Sequence, residues 1–159
     1  MEAAVRRARG VEADALTHLA LAAKAHWGYP AAWMDEWRDA LTFTPAYVEA
    51  HPVYVAEGAD GAPAGCYALG RDGDRTTLEH LWVSPAAMGQ GVGRALLIHA
   101  AETARAGAAD RFWIESDPHA EGFYLRAGAV RVGDVPADID GTPRLLPLLV
   151  LGLGTETAS

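Results

Sequence analysis

The stretch from Leu81 to Leu97 constrains the fold of this chain more than any other segment. A strand is predicted to stop at Val83, and a helix is predicted to begin near Val92. Between them lie three glycines at alternate positions, Gly89, Gly91 and Gly93. Glycine adopts backbone conformations closed to other residues, and the free N–H groups at a helix start are electropositive. The segment therefore predicts a cradle for an anion such as a phosphate or pyrophosphate.

The spacing of these glycines excludes two common phosphate-binding motifs. A Walker A loop needs Gly-x-x-x-x-Gly-Lys-[Ser/Thr], and the only lysine, Lys24, lies far from the turn. The dinucleotide fingerprint Gly-x-Gly-x-x-Gly fails because its last position is Arg94 when counted from Gly89 and Leu96 when counted from Gly91. What remains is Gly-x-Gly-x-Gly-Arg, preceded by Val-x-Pro.

Two segments resemble the signature of the GNAT superfamily of acyl-CoA-dependent N-acetyltransferases. The first, Gln/Arg-x-x-Gly-x-Gly/Ala, begins at Met88, where the family usually has Gln or Arg. The second, Asn-x-x-Ala-x-x-Phe-Tyr followed by x-x-x-Gly, runs from Asp117 to Gly128, with aspartate at the asparagine position. Asp117 followed by Pro118 is also typical of a helix start.

The resemblance implies a binding site for acetyl-CoA, in which backbone N–H groups of the turn hold the pyrophosphate and Arg94 adds positive charge. A backbone N–H near Val83 would polarise the thioester carbonyl, and Tyr124 would protonate the leaving thiolate. The residues expected to bind acetyl-CoA are Leu81, Trp82, Val83, Met88, Gly89, Gln90, Gly91, Val92, Gly93, Arg94, Asp117 and Tyr124.

The predicted elements run strand, helices, three strands, helix, strand, helix and two strands, which is an α/β (α+β) order in one domain over 1–159. The first strand is predicted over 3–9, the second helix over 31–41, and a frayed tail over 154–159. The resemblance implies a GNAT-like fold: a central, mostly antiparallel sheet with helices on both faces. It also implies that strands 4 and 5, which end at Val83 and Ser116, splay apart around the acyl-CoA.

The strand before the turn carries the candidates for a general base. Strict alternation places Thr77, Glu79, Leu81 and Val83 on one face, and Leu78, His80 and Trp82 on the other. Glu79 would then accept the proton of the amine or bind a cationic substrate, with a solvated or salt-bridged carboxylate as the alternative. For His80 we expect a satisfied core histidine rather than a base.

Aromatic residues cluster between the first two strands. Trp27 and Tyr29 flank a Gly/Pro-rich break and are predicted to bind the substrate, by cation–π contact for a cationic group. Trp33 and Trp37 are expected to close the core where two helices meet.

Composition limits the classes of partner. The net charge of −8 argues against nucleic-acid or anionic-membrane binding and is compatible with an amine-bearing substrate. The single cysteine, Cys66, excludes an intramolecular disulfide, and no spacing indicates a metal site. The N-terminal segment lacks the apolar core of a signal peptide, so a cytoplasmic location is expected. The apolar strand near 145–153 is a candidate for edge pairing in a homodimer.

Three functions stay open at this level. The first is an N-acetyltransferase that transfers the acetyl group of acetyl-CoA to a primary amine of a small molecule by direct attack. The second is the same chemistry on a protein N-terminus or lysine. The third is a non-catalytic acyl-CoA-binding sensor module.

Overall fold

The computed structural model describes residues 4–154. Within these residues, three short 3₁₀ turns accompany five α-helices and seven β-strands. The helices are α1 (Ala13–Ala25), α2 (Ala31–Trp37), α3 (Pro45–Ala50), α4 (Val92–Ala106) and α5 (Glu121–Arg126). The strands are β1 (Val5–Arg7), β2 (Val53–Glu57), β3 (Pro63–Asp72), β4 (Arg75–Val83), β5 (Arg111–Glu115), β6 (Val130–Pro136) and β7 (Leu145–Gly152).

All seven strands form one sheet in the order β1-β2-β3-β4-β5-β7-β6. Every neighbouring pair is antiparallel except β4 and β5, which are parallel and paired only at Thr77 and Trp113. Beyond that point the two strands separate toward their carboxyl ends. The mixed sheet with splayed strands 4 and 5 confirms the fold predicted from the sequence.

Each face of the sheet has its own apolar core. On one face α4 packs through Leu96 and Ala100 onto β3, β4, β5 and β7. On the other face α1 and α3 pack through Leu16 and Val48 onto β2 and β3. The amphipathic pattern of α1 and α4 accounts for this arrangement, because each helix turns its apolar side to the sheet. Helices thus cover both faces, as expected.

A β-bulge in β4 overturns the prediction of strict alternation. Ala68 pairs with His80 and the next residue, Leu69, pairs with Leu78, so Glu79 is an extra residue without a partner. A bulge of this kind shifts the side chains that precede it to the opposite face. Leu78 consequently packs in the α4 core with Leu81 and Val83, instead of sharing the face of His80 and Trp82.

Other predictions need smaller corrections. The first strand covers only Val5–Arg7, and the second helix ends at Trp37 instead of residue 41. The apolar strand near the C-terminus, β7, lies between β5 and β6, so both of its edges are already paired and it cannot serve as an edge. Of the tail predicted over 154–159, residues 155–159 lie outside the described residues.

Candidate active site

A cleft of about 610 Å³ opens where β4 and β5 separate. The end of β4 forms one wall through Leu81, Trp82 and Val83, and the end of β5 with the start of α5 forms the opposite wall. The glycine turn before α4 borders one end of the cleft, and Trp27, just after α1, also borders it. The cleft therefore lies between the two strand ends that the sequence pointed to.

The glycine turn has the backbone conformation that an anion cradle requires. Gly89 and Gly91 have positive φ values of 81° and 86°, which glycine adopts readily. The first hydrogen bond of α4 runs from the Ala95 N–H to the Gly91 carbonyl at 3.0 Å, so the preceding N–H groups have no partner within the helix. A Cβ on Gly93 would lie 3.4 Å from the Phe123 ring, which shows how closely α4 and α5 approach.

Most of the residues predicted to bind acetyl-CoA border the cleft, and two do not. Ten of the predicted set border the cleft, including Met88, Arg94, Asp117 and Tyr124. Gln90 does not: its amide nitrogen donates to the Ala86 carbonyl at 3.2 Å on the exposed side of the turn. The side chain of Val92 does not either, because it is buried in the α4 core.

Arg126 was missed by the sequence analysis. It borders the cleft together with Arg94, and neither guanidinium forms a salt bridge with another residue within 4–154. Two unpaired positive charges at the cleft of a chain with net charge −8 favour a negatively charged ligand there. The sequence carried a faint signal, since Arg126 follows Tyr124 by two positions at the end of the predicted α5.

Tyr124 is buried in the α4 core, but its hydroxyl reaches the cleft. The ring is 6% exposed, and the hydroxyl makes no hydrogen bond to any group in the described part of the chain. Within residues 4–154, the Thr77 hydroxyl is the one fully enclosed side-chain polar atom without a partner. The Tyr124 oxygen is therefore not sealed off from the cleft. Burial raises the pKa of Tyr124 above its usual value. The phenol thus keeps its proton at neutral pH and can donate it into the cleft.

Glu79 also borders the cleft, but from the side of α3. Because it is the bulge residue, its carboxylate lies across Gly70 of β3, where a Cβ would collide with it. Its Oε1 accepts a hydrogen bond of 2.6 Å from the Tyr47 hydroxyl of α3. The residue is exposed to solvent, so this carboxylate is available to bind a cation at the cleft.

His80 meets the expectation of a satisfied core histidine only in part, because it is half-buried and also borders the cleft. Its Nδ1 accepts a hydrogen bond of 2.9 Å from the Trp82 indole, and its ring packs against Phe43 with centroids 4.6 Å apart. Burial lowers the pKa of His80 to about 4. The imidazole is therefore neutral near pH 7, and one of its two nitrogens is already occupied.

Asp117 is held by a network that the sequence did not reveal. Its Oδ2 accepts from the Lys24 ammonium at 2.7 Å, and the Tyr29 hydroxyl lies 3.0 Å from both carboxylate oxygens. Its Oδ1 accepts from the His119 backbone N–H at 2.8 Å, as expected for a helix N-cap. Burial would raise the pKa of Asp117, but these donors, Lys24 first, lower it to about 2.

Four aromatic residues between β1 and β2 do not all lie where the sequence predicted. Trp27 is 39% exposed and borders the cleft, whereas Tyr29 does not border it and instead points its hydroxyl at Asp117. Trp33 and Trp37 are half-buried; Trp37 packs against the α1 core, as predicted, and both rings also contact cations. The Lys24 ammonium lies 4.1 Å from the centre of the Trp37 ring, and a second cation, Arg144, lies 5.2 Å from it.

Residues 4–154 contain no group of three or more His, Cys, Asp or Glu side chains that could hold a metal ion. Every helix within the same residues is too short or too polar to cross a lipid bilayer.

Comparison with known proteins adds a family and several relatives. Residues 13–129 match the model of the acetyltransferase (GNAT) family. Streptothricin acetyltransferase of Streptomyces lavendulae is 42% identical over 64 residues, which are 39% of this chain and only 34% of that protein. The solved nourseothricin acetyltransferase is 32% identical, with a TM-score of 0.59 over 65% of this chain and 66% of that one.

A third relative agrees with the fold alone. The structure of yncA from Salmonella typhimurium, solved with its cofactor acetyl-CoA, is 22% identical and has a TM-score of 0.71. It covers 100% of this chain and 98% of that one. The sequence motifs, the splayed sheet and the family match over residues 13–129 agree, and the chain belongs to the GNAT family of acetyltransferases.

Proposed function

We propose that this chain transfers the acetyl group of acetyl-CoA to the primary amine of a small molecule. The observation that carries the proposal is that the Tyr124 hydroxyl, the glycine turn and two unpaired arginines all border one cleft. The turn and the arginines suit the phosphates of the donor. The phenol suits the leaving thiolate, which must gain a proton.

Direct attack of the amine on the thioester fits the residues better than a covalent enzyme intermediate. The only cysteine, Cys66, is fully buried in the α1 core and does not border the cleft. Burial raises the pKa of its thiol to about 12, so the nucleophilic thiolate is scarce at neutral pH. Tyr124 then acts as the general acid, and Val83 at the end of β4 offers a backbone N–H to the carbonyl oxygen.

A small-molecule acceptor is supported by the relatives and by the Glu79 carboxylate at the cleft. Two relatives, 42% and 32% identical over their matched parts, are named streptothricin acetyltransferase and nourseothricin acetyltransferase. Glu79, exposed at the cleft, supplies a negative charge that would attract a second cationic group of the acceptor. A small molecule with several amines offers one nitrogen for acetylation and a second cationic group for Glu79.

The test mixes purified protein with acetyl-CoA and a panel of amines, and follows release of free thiol. The panel contains streptothricin, spermidine, free lysine, and a peptide with a free N-terminus and one lysine. Turnover with the small amines and none with the peptide is expected. Turnover restricted to the peptide would contradict the choice of acceptor. Tight binding of CoA with no turnover on any amine would instead indicate a sensor module.

A further inference from the structure

His119 completes a pair with Asp117 at the edge of the cleft. Its Nδ1 lies 3.0 Å from Asp117 Oδ1, and the ring borders the cleft. The His119 backbone N–H donates 2.8 Å to the same carboxylate oxygen, so two bonds tie the residue to Asp117. Pro118 between them restricts the backbone of this short turn. The imidazole therefore has a fixed place beside the cleft.

The hydrogen bonds around Asp117 assign the proton on the imidazole ring. An ionised carboxylate only accepts hydrogen bonds, so the contact of 3.0 Å requires a proton on His119 Nδ1. The Tyr29 hydroxyl, also 3.0 Å from that nitrogen, has the carboxylate as its acceptor and receives a bond of 2.8 Å from Arg144. The lone pair of the neutral ring then lies on Nε2, which has no partner within residues 4–154.

Two further contacts hold the ring in place. The Trp27 indole stacks on the imidazole with centroids 4.7 Å apart and planes within 3° of each other. The Lys24 ammonium, 2.7 Å from Asp117, keeps the carboxylate ionised, and Arg144 lies 4.0 Å from it. The charged and titratable groups that face His119 are thus Asp117, Tyr29, Lys24 and Arg144. A ring held in place, whose Nδ1–H donates to a carboxylate and whose Nε2 is free, has the arrangement of a general base.

We propose that His119 is the general base that deprotonates the acceptor amine, and that Asp117 is its positioning residue. This inference rests on the proposed function. As the amine nitrogen attacks, an N–C bond forms, the C–S bond breaks, and the N–H proton moves to His119 Nε2. Tyr124 gives its proton to the thiolate, and the proton on His119 returns to Tyr124 through solvent. The products are the acetamide and free CoA, with no net change in protons.

The proposal separates His119 from Glu79 as candidates for the base. Both side chains are exposed, but the Glu79 carboxylate lies on the α3 side and accepts a hydrogen bond of 2.6 Å from the Tyr47 hydroxyl. His119 instead borders the wall of the cleft that also carries Tyr124, five residues along the same turn and helix. We therefore assign proton removal to the histidine and leave the attraction of cationic groups to the carboxylate.

The experiment compares wild type, His119→Ala and His119→Gln with acetyl-CoA and the panel amine that wild type turns over fastest. Both variants should lose about a hundredfold or more in kcat, the usual contribution of general base catalysis. Their CoA dissociation constants, measured by calorimetry, should stay within about threefold of wild type. The glycine turn and the arginines assigned to the phosphates are unchanged in both variants. His18→Ala is the matched control, because His18 on α1 is exposed and does not border the cleft.

Chemical rescue separates a base from a structural histidine. Imidazole added to His119→Ala should restore part of the lost rate, in proportion to the concentration of neutral imidazole. A kcat of His119→Ala within threefold of wild type would overturn the assignment, as would a folded variant that retains CoA affinity but shows no rescue. Wild type that binds CoA and turns over no amine would overturn the proposed function, and the role of His119 with it.

Discussion

The Lys24 ammonium lies 2.7 Å from Asp117 Oδ2, and this ion pair joins the C-terminal part of α1 to the loop after β5. The two side chains are each only 11% exposed. Burial lowers the pKa of the Lys24 ammonium, so part of the attraction is spent on removing that charge from water. The pair fixes the end of the cleft where Trp27 and His119 meet.

Replacing Lys24 with methionine should destabilise the protein by about 3 kcal/mol near pH 7, because the buried Asp117 carboxylate loses its main partner. The pKa of Asp117 is lowered to about 2, below the value of about 3.9 in an unfolded chain. Its contribution to stability is therefore present above pH 4 and is lost as the pH falls toward 2.

Denaturant unfolding of wild type and Lys24→Met across this range measures the effect. The difference in unfolding free energy should narrow as the pH falls from 4 to 2. Arg111→Gln is the control, since it breaks an exposed pair with Asp110 that should contribute less than about 1 kcal/mol. A difference between wild type and Lys24→Met that stays constant over the range would contradict the role of the ion pair.

Removing the Tyr124 hydroxyl should slow turnover and leave donor binding intact. Tyr124→Phe keeps the buried ring, so the core packing and the fold should persist. We expect kcat to fall by about a hundredfold, because the thiolate then leaves without a positioned proton donor. Steady-state kinetics and CoA calorimetry check both parts. Equal turnover in the variant and wild type would remove the acid role.

Valine at Gly91 should weaken CoA binding through the backbone. Gly91 has φ of 86°, and a non-glycine residue in this region costs about 1–2 kcal/mol, more when it is β-branched. The N–H groups at the start of α4 would then shift from the cradle geometry. Gly152→Ala is the control, because Gly152 has open space around its Cβ position. A folded Gly91→Val protein with unchanged CoA affinity would disprove the cradle.

Neutralising the cleft arginines should weaken binding of CoA in a salt-dependent way. Arg94→Gln and Arg126→Gln should each lower CoA affinity by about tenfold, which corresponds to about 1.4 kcal/mol. The loss should shrink at high salt, because exposed charges are screened. Arg38→Gln, on exposed α2, is the control. If the variants bind CoA as tightly as wild type at low salt, the arginines do not contact phosphate.

Glu79→Gln should weaken binding of the acceptor amine more than it slows the chemical step. The exposed carboxylate at the cleft would attract a cationic amine, so its loss should raise KM for a polyamine such as spermidine by a few-fold to tenfold. The kcat should change little, because proton removal is assigned to His119. A fall in kcat as large as that of His119→Ala would instead make Glu79 the base.

The sequence by itself determined the glycine turn and the strand end beside it, where we propose that acetyl-CoA binds. The backbone of this turn takes positive φ values at Gly89 and Gly91, which favour glycine. Because this requirement is local, it is visible in the sequence as glycine spacing. The end of β4 at Val83 and the start of α4 at Val92 were likewise predicted correctly, because both are marked by local sequence signals. The resemblance of the two motifs implied the splayed sheet and the family, and both are confirmed.

Only the tertiary structure brought together the groups that we propose for the acceptor. The bulge at Glu79 depends on how β3 and β4 pair, which alternation within one strand does not encode. Lys24 and Asp117 are 93 residues apart, and Arg144 reaches Tyr29 across 115 residues. Only the folded sheet brings these charges together, and a buried carboxylate is stable there because its partners arrive from distant elements. His119 owes its ring orientation to that network.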